Sequence, residues 1–131
     1  MEAYYNTNYL AYISPTQTLC ININKLQPEL DELLDLHQVN TWAYITAWNP
    51  FSDALELQEN RARNKTLETY LLGQIYFQGK GVAIQGDWEE ESYLILGIKR
   101  EIAGELGRLF QQNAILFGQK GKAAEIVRLS K

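Results

Sequence analysis

Apolar positions in the first forty residues predict two strands followed by a helix. Residues 8–14 (NYLAYIS) and 17–23 (TLCININ) are rich in aromatic and β-branched side chains. The turn former Pro15 separates them, which is typical of two strands in a hairpin. From Pro28 the apolar spacing becomes helical, and the acidic side chains between the apolar positions face water. The inward positions at i, i+3, i+4 and i+7 are Leu30, Leu33, Leu34 and His37.

The pattern between residues 41 and 117 predicts six further elements. TWAYITAW is an almost continuous apolar run, as expected of a strand that is covered on both faces. The elements are strands at 41–48, 75–85, 93–98 and 113–117, and helices at about 55–73 and 99–111. A bulge or turn is expected at GKG, residues 79–81. The inward positions of the two helices are predicted to be Leu67 and Leu71 in the first, and Ile102, Leu106, Leu109 and Phe110 in the second.

The order strand, helix, strand, strand, helix, strand is that of the split βαβ unit of ferredoxin-like domains. We therefore predict an α+β fold, with a mixed or antiparallel sheet, helices packed mainly on one face, and a ferredoxin-like core at residues 41–117. The N-terminal strands and helix, and an alternating edge strand at 124–129, are additions to that core. A chain of 131 residues has the size of one domain, so we assign residues 1–131 to a single domain.

This topology predicts that four polar stretches meet at one edge of the sheet. The first core strand ends, its helix starts, the second strand turns and the last strand begins at that edge. The stretches are Asn49, the helix start ENRARN (59–64), WEEES (88–92), and Gln112 with Asn113. We expect a binding site there. Trp48 is expected to pack, and Pro50 to end the strand.

Each stretch offers chemistry for such a site. Asn60 and Asn64 continue the inward face of their helix, and Arg61 and Arg63 flank it. A helix start with an arginine beside it can bind a carboxylate or phosphate. The same residues also fit a turn, a helix cap and a solvated surface, so this interpretation depends on the convergence at the edge.

The WEEES stretch offers carboxylates. If it is extended, Glu89 and Glu91 share one face, and Trp88 and Glu90 share the other. Carboxylates that face a site can bind a cation, accept hydrogen bonds from a ligand or act as a general base. The alternative is a charged turn.

Composition removes several classes of function. The net charge is −4 and the basic residues form no stripe, so the sequence argues against nucleic-acid binding. One histidine and one cysteine provide no zinc-ligand set and no Cys/His catalytic pair. Cys20 is expected to be a small buried side chain, and His37 to pack at the end of its helix. No signal-peptide pattern or membrane-length apolar run occurs, so we expect a cytoplasmic protein.

The set ITAWNP, ENRARNKTL, WEEES and FQQNAILF resembles a family of small, mostly bacterial proteins labelled domain of unknown function 3293. The resemblance extends over about residues 41–117 and implies no activity. The signature positions that it implies are Thr46, Asn49, Pro50, Asn60, Arg63, Trp88, Glu90 or Glu91, Gln112 and Asn113.

The leading functional prediction is a protein that binds a small polar or anionic ligand at the polar edge. No cofactor or membrane partner is predicted. One alternative is a hydrolase or transferase that uses Glu89 or Glu91, with or without a divalent metal. A second is a structural or protein-interaction module. The candidate ligand-binding residues are Thr46, Asn49, Asn60, Arg61, Arg63, Asn64, Trp88, Glu89, Glu91, Gln112 and Asn113.

Overall fold

All strands in the described residues, 2–129 of this computed structural model, form one antiparallel sheet. The strands are β1 (Thr7–Ser14), β2 (Gln17–Ile21), β3 (Thr41–Ile45), β4 (Ile75–Ala83), β5 (Glu89–Leu96), β6 (Ala114–Gln119) and β7 (Glu125–Arg128). Their spatial order is β2-β1-β4-β5-β3-β6-β7. The predicted hairpin of β1 and β2 and the predicted edge position of β7 are confirmed.

The helices are α1 (Glu2–Tyr5), α2 (Pro28–Leu36), α3 (Leu57–Thr69) and α4 (Arg100–Leu109). The run β3-α3-β4-β5-α4-β6, with strand order β4-β5-β3-β6, is the predicted split βαβ arrangement. In it, β5 lies between β3 and β4, and Ile45 at the end of β3 pairs with Tyr93 of β5. The α+β prediction is confirmed.

Side chains of β3 alternate between two apolar clusters, one on each face of the sheet. Ala43 and Ile45 pack in the cluster that includes residues of α3 and α4. Trp42 and Tyr44 pack in the cluster that includes residues of α2. The two core helices therefore share one face as expected, whereas α2 covers part of the opposite face.

The buried side of α4 differs from the prediction. Ala103, Leu106 and Phe110 are buried, whereas Ile102 and Leu109 are 44% and 52% exposed. The reason is a close approach at Gly107, where a Cβ atom would lie 2.5 Å from Leu129 Cδ1. The helix thus turns its smallest side chains towards the sheet, and two of its branched side chains remain outside.

The GKG segment does not interrupt β4. Residues 79–81 pair in regular register with both β1 and β5, so the expected bulge or turn is wrong. A Cβ atom on Gly79 would lie 1.9 Å from the backbone oxygen of Leu10. Glycine is needed here because β1 approaches closely, and not because the strand bends.

The expectation of a buried Cys20 is also wrong. The side chain is exposed, because strand alternation on β2 turns the neighbouring Leu19 and Ile21 inward. His37 packs as predicted at the end of α2, with its ring 6.3 Å from that of Phe77. Within residues 2–129, none of the helices has the length and apolar character needed to cross a membrane. A cytoplasmic location stays a prediction.

Candidate functional site

The four polar stretches meet at one edge of the sheet, as the topology predicts. Thr46, which follows β3, donates a hydrogen bond to the carbonyl of Glu91 in β5 at 2.6 Å. Asn64 of α3 donates to the same carbonyl at 2.8 Å. Gln112, which precedes β6, donates to the carbonyl of Trp48 at 3.1 Å. The ends of β3 and β5, the start of α3 and the approach to β6 are thus connected by direct hydrogen bonds.

The backbone N–H groups of residues 47–49, which connect β3 to the next turn, donate to the side chains of Thr46, Asn60 and Asn64. The N–H of Ala47 donates to Asn64 Oδ1 at 2.8 Å. The N–H of Trp48 donates to Thr46 Oγ1 at 3.1 Å. The N–H of Asn49 donates to Asn60 Oδ1 at 2.8 Å. Each amide or hydroxyl here replaces a partner that the next strand would provide inside a sheet.

The carbonyl groups of residues 47–49 are paired in the same way. The carbonyl of Ala47 accepts from Arg63 Nε at 2.7 Å. The carbonyl of Trp48 accepts from the side chain of Gln112. The carbonyl of Asn49 accepts from the backbone N–H of Ser52 at 2.9 Å. The other end of the Arg63 guanidinium donates to the carbonyl of Phe110. Most of the polar residues on the α3 side therefore stabilise a loop that has left the sheet.

The remaining charged candidates lie on the outside of this edge. Arg61 pairs with Glu91 at 3.1 Å, and Lys80 pairs with Glu89 at 3.0 Å. These pairs are solvent-exposed, and such pairs contribute about 0–1 kcal/mol to stability. Alternation along β5 turns Glu89 and Glu91 to the same face as Tyr93, and turns Glu90 to the opposite face.

A cavity of about 330 Å³ lies on that opposite face, beside the polar edge. Residues of α1, β1, β3, β5, β6 and the loop at 46–52 surround it. Aromatic side chains form much of the lining, and polar groups project from the loop and strand ends. Its main aromatic and polar lining residues are Tyr4, Thr7, Tyr9, Tyr44, Thr46, Trp48, Asn49, Ser52, Trp88, Glu90, Ser92, Gln112 and Asn113.

Glu90 provides the carboxylate of this cavity. Burial raises its pKa from 4.5 to about 7, and a hydrogen bond from the Asn49 side chain opposes the rise. The carboxyl group therefore changes charge near neutral pH, where an exposed glutamate is already ionised.

Asn49 has its amide oriented by groups outside the cavity. Its Oδ1 accepts from the backbone N–H of Leu55 at 3.0 Å and from Asn60 Nδ2 at 2.7 Å. Since the oxygen is bound on that side, the amide nitrogen is the atom that can donate to Glu90. Asn60 thus positions a hydrogen-bond donor inside the cavity without lining it.

Three tyrosines line the cavity opposite the loop. Tyr9 and Tyr44 pack edge to face, with ring centroids 5.3 Å apart. The hydroxyl of Tyr9 donates to the carbonyl of Tyr4 in α1 at 2.8 Å, which ties this single helical turn to β1. Burial raises the pKa of Tyr4 to about 12, and the charge of Glu90 adds to the rise. The tyrosines are therefore neutral near neutral pH.

The loop that carries Asn49 contains strained backbone. Asn49, Phe51 and Ser52 have φ angles of 47°, 50° and 65°, in the left-handed region that non-glycine residues seldom adopt. Gln111 has a φ of 56°, and its carbonyl accepts from the N–H of Phe51 at 2.6 Å. Such conformations persist only where surrounding contacts hold them, and they are common at ligand sites.

The structure divides the predicted site residues into two groups. The first lines the cavity and comprises Thr46, Asn49, Trp88, Gln112 and Asn113. The second lies outside the cavity lining, in the loop contacts or the exposed ion pairs, and comprises Asn60, Arg61, Arg63, Asn64, Glu89 and Glu91. Whether either group binds a ligand stays a prediction.

Sequence reasoning missed several residues of the cavity. Glu90 is one of two alternatives, with Glu91, among the signature positions that the resemblance implies, but the candidate ligand-binding residues include only Glu89 and Glu91. The sequence predicts only packing for Trp48 and gives no signal that the three tyrosines line a cavity. The alternation of β5 was the signal for Glu90, but its use required knowing which face of the sheet holds the cavity. Across residues 2–129 there is no cluster of three or more His, Cys, Asp or Glu side chains arranged to hold a metal ion.

Comparison with known proteins identifies a family. The family model described as "Protein of unknown function (DUF3293)" matches residues 45–115 of the chain. The matched range extends from the end of β3 into β6 and therefore contains the loop at 46–52 and Glu90. No curated protein matches the chain. No solved structure matches it.

Proposed function

Since the chain belongs to the family of proteins of unknown function DUF3293, which supplies no activity, we propose from its geometry that it binds a small polar ligand in the cavity beside the loop at 46–52. The observation that carries the proposal is the cavity itself, which combines aromatic walls with amide, hydroxyl and carboxyl groups from separate elements. Small-molecule sites in proteins are concave, largely apolar and contain a few placed polar groups.

The hydrogen bonds of the loop support this proposal. They hold the backbone of Asn49 through Asn60 of α3, and they hold the backbone of Trp48 through Thr46 and Gln112. The side chains of Asn49 and Trp48 line the cavity. A strained loop whose backbone groups are held by such hydrogen bonds is a suitable support for a binding site. The predicted roles of Asn60 and Asn64 are thereby changed from ligand contact to support.

A thermal-shift screen of small aromatic and polar compounds tests the proposal. A ligand at about 100 times its dissociation constant should raise the free energy of unfolding by about 2.7 kcal/mol. The variant Trp88→Ala should weaken that ligand about tenfold, because one aromatic wall is lost. Its unfolding should change little, because Trp88 is 41% exposed.

The matched control for this screen is Leu72→Ala, which truncates another exposed apolar side chain outside the cavity. It should bind every hit as the wild type does. Hits that bind Trp88→Ala and Leu72→Ala with equal affinity contradict the assignment to this cavity, and a broad screen without hits contradicts ligand binding itself.

A second candidate function is acid–base chemistry in the same cavity. The specific observation is the pKa of Glu90 near 7, which suits a general acid or base at neutral pH. The hydrolase or transferase alternative then uses Glu90, because Glu89 and Glu91 are engaged in exposed ion pairs. If a panel of chromogenic esters and phosphate esters reveals turnover, Glu90→Gln should lower kcat by about 10²–10⁴-fold. Glu91→Gln should not, and an equal loss in both variants contradicts this role.

A further inference from the structure

We propose that the ligand of this cavity is an organic cation, an amine or amidine whose N–H groups face the carboxylate of Glu90 and whose carbon skeleton lies among the aromatic side chains. This inference rests on the proposed function, because it specifies the ligand class of the same site. Three observations support it, namely the charge of the lining, the surroundings of Glu90 and the aromatic walls.

The first observation is the sign of the charge. Among the described residues that line the cavity, Glu90 is the only Asp, Glu, Lys, Arg or His. The other titratable side chains that line the cavity are Tyr4, Tyr9 and Tyr44, and burial raises the pKa of all three hydroxyls further above neutral pH. A single carboxylate without a basic lining residue favours a cation and repels an anion.

The arginines that would attract an anion are committed elsewhere. Arg63 donates to two backbone carbonyls behind the loop, and Arg61 pairs with Glu91 on the exposed surface. Neither lines the cavity. The anionic ligand expected at the start of α3 would also need free hydrogen-bond donors there. The side-chain amide of Asn60 is already engaged, because its Oδ1 accepts from the N–H of Asn49 and its Nδ2 donates to Asn49 Oδ1. The geometry therefore favours a cation over that anion.

The second observation is the surroundings of the Glu90 carboxylate. Asn49 provides one hydrogen bond to it, and the described residues provide no ion pair to it. A carboxylate can accept about four hydrogen bonds and prefers charged donors. An amidinium or ammonium group in the cavity would supply both the charge and the donors that the partly buried carboxylate lacks.

The third observation is the aromatic lining. The rings of Tyr9, Tyr44, Trp48 and Trp88 surround the same space as Glu90. Faces of tyrosine and tryptophan attract cations through the ring quadrupole, and combinations of aromatic rings with a carboxylate recognise organic ammonium groups. The net charge of −4 adds a weak attraction for the same ligands.

Three flat probes of nearly equal shape test the inference. Benzamidine is a cation, benzamide is neutral and benzoate is an anion, so differences among them report charge and donors. By isothermal titration calorimetry near pH 8, the wild type should bind benzamidine about tenfold or more tighter than benzamide, and benzoate most weakly. Glu90→Gln should remove the preference for benzamidine over benzamide. Glu91→Gln is the matched control and should keep the preference.

The pH dependence provides a second measurement that does not require a variant. Benzamidine binds the ionised form of Glu90, so its affinity should fall about tenfold for each pH unit below about 7, whereas that of benzamide should change little. Equal binding of benzamidine and benzamide overturns the inference and leaves the proposed ligand site intact. A preference that survives in Glu90→Gln, or tightest binding of benzoate, also overturns it. If none of the probes binds the wild type at millimolar concentration, the inference is wrong, and the broad screen above decides separately whether the cavity binds ligands.

Discussion

Asn64→Ala is expected to lower the free energy of unfolding by about 3 kcal/mol. Asn64 is buried, and its amide accepts from the N–H of Ala47 and donates to the carbonyl of Glu91, both at 2.8 Å. Alanine would leave the N–H of Ala47 without its partner at a site that water reaches poorly, and the carbonyl of Glu91 would keep only its bond from Thr46. The loss is therefore larger than that of two exposed hydrogen bonds, because the desolvation of the buried Ala47 N–H is no longer offset.

Chemical denaturation of the wild type, Asn64→Ala and Lys65→Ala measures this effect. Lys65 is the exposed neighbour of Asn64 in α3, so its replacement should change stability by less than about 0.5 kcal/mol. A loss of less than about 1 kcal/mol in Asn64→Ala would show that the backbone of residues 47–49 finds other partners. The role of the α3 amides as supports of the loop would then be wrong.

The topology of the core was predictable because its signals are local. The apolar run TWAYI, the helical spacing of α3 and α4, and the turn formers between strands each define an element without information from distant residues. The split βαβ order then follows from the sequence of elements, and with it the edge at which the polar stretches meet. That edge is what placed Asn49, Asn60 and Gln112 close to one another.

What sequence reasoning could not determine depends on contacts between elements. The close approach of Leu129 at Gly107 determines which side of α4 is buried. The close approach of β1 at Gly79 explains why a glycine occurs within the regular strand β4. Both glycines look like interruptions in the sequence, because a missing side chain leaves no periodic signal. Periodicity likewise gives no signal of which side of the sheet α2 covers or of the face on which the cavity lies.

The same limit explains why the candidate site was only partly correct. Polar residues that bind the backbone of the loop and polar residues that face the cavity lie at the same sheet edge, so convergence alone does not separate them. Asn49 belongs to both sets, because its N–H and Oδ1 bond to the α3 side while its side chain also bonds to Glu90. It is the residue through which the support of the loop determines the geometry of the cavity.

Glu90→Gln is expected to stabilise the protein at high pH. Its effect on the free energy of unfolding should be about 3 kcal/mol more favourable above about pH 7 than below about pH 4.5. The pKa of Glu90 is about 7 in the folded protein and close to 4.5 when burial is absent. Between these values the folded state binds more protons than the unfolded state, so the stability of the wild type falls as pH rises. Glutamine carries no charge at any pH, so the variant does not undergo this loss.

Denaturation curves at about pH 5 and about pH 8 measure this difference. Glu91→Gln is the control, because it makes the same substitution at a neighbouring residue of β5 that lies outside the cavity lining. Parallel pH profiles for the wild type and Glu90→Gln would contradict the effect of burial on this carboxyl group. A stabilising substitution inside a cavity has a functional meaning, since a charge that costs stability in the free protein persists where a ligand compensates for it. Benzamidine at a fixed concentration should therefore stabilise the wild type at about pH 8 more than it stabilises the variant.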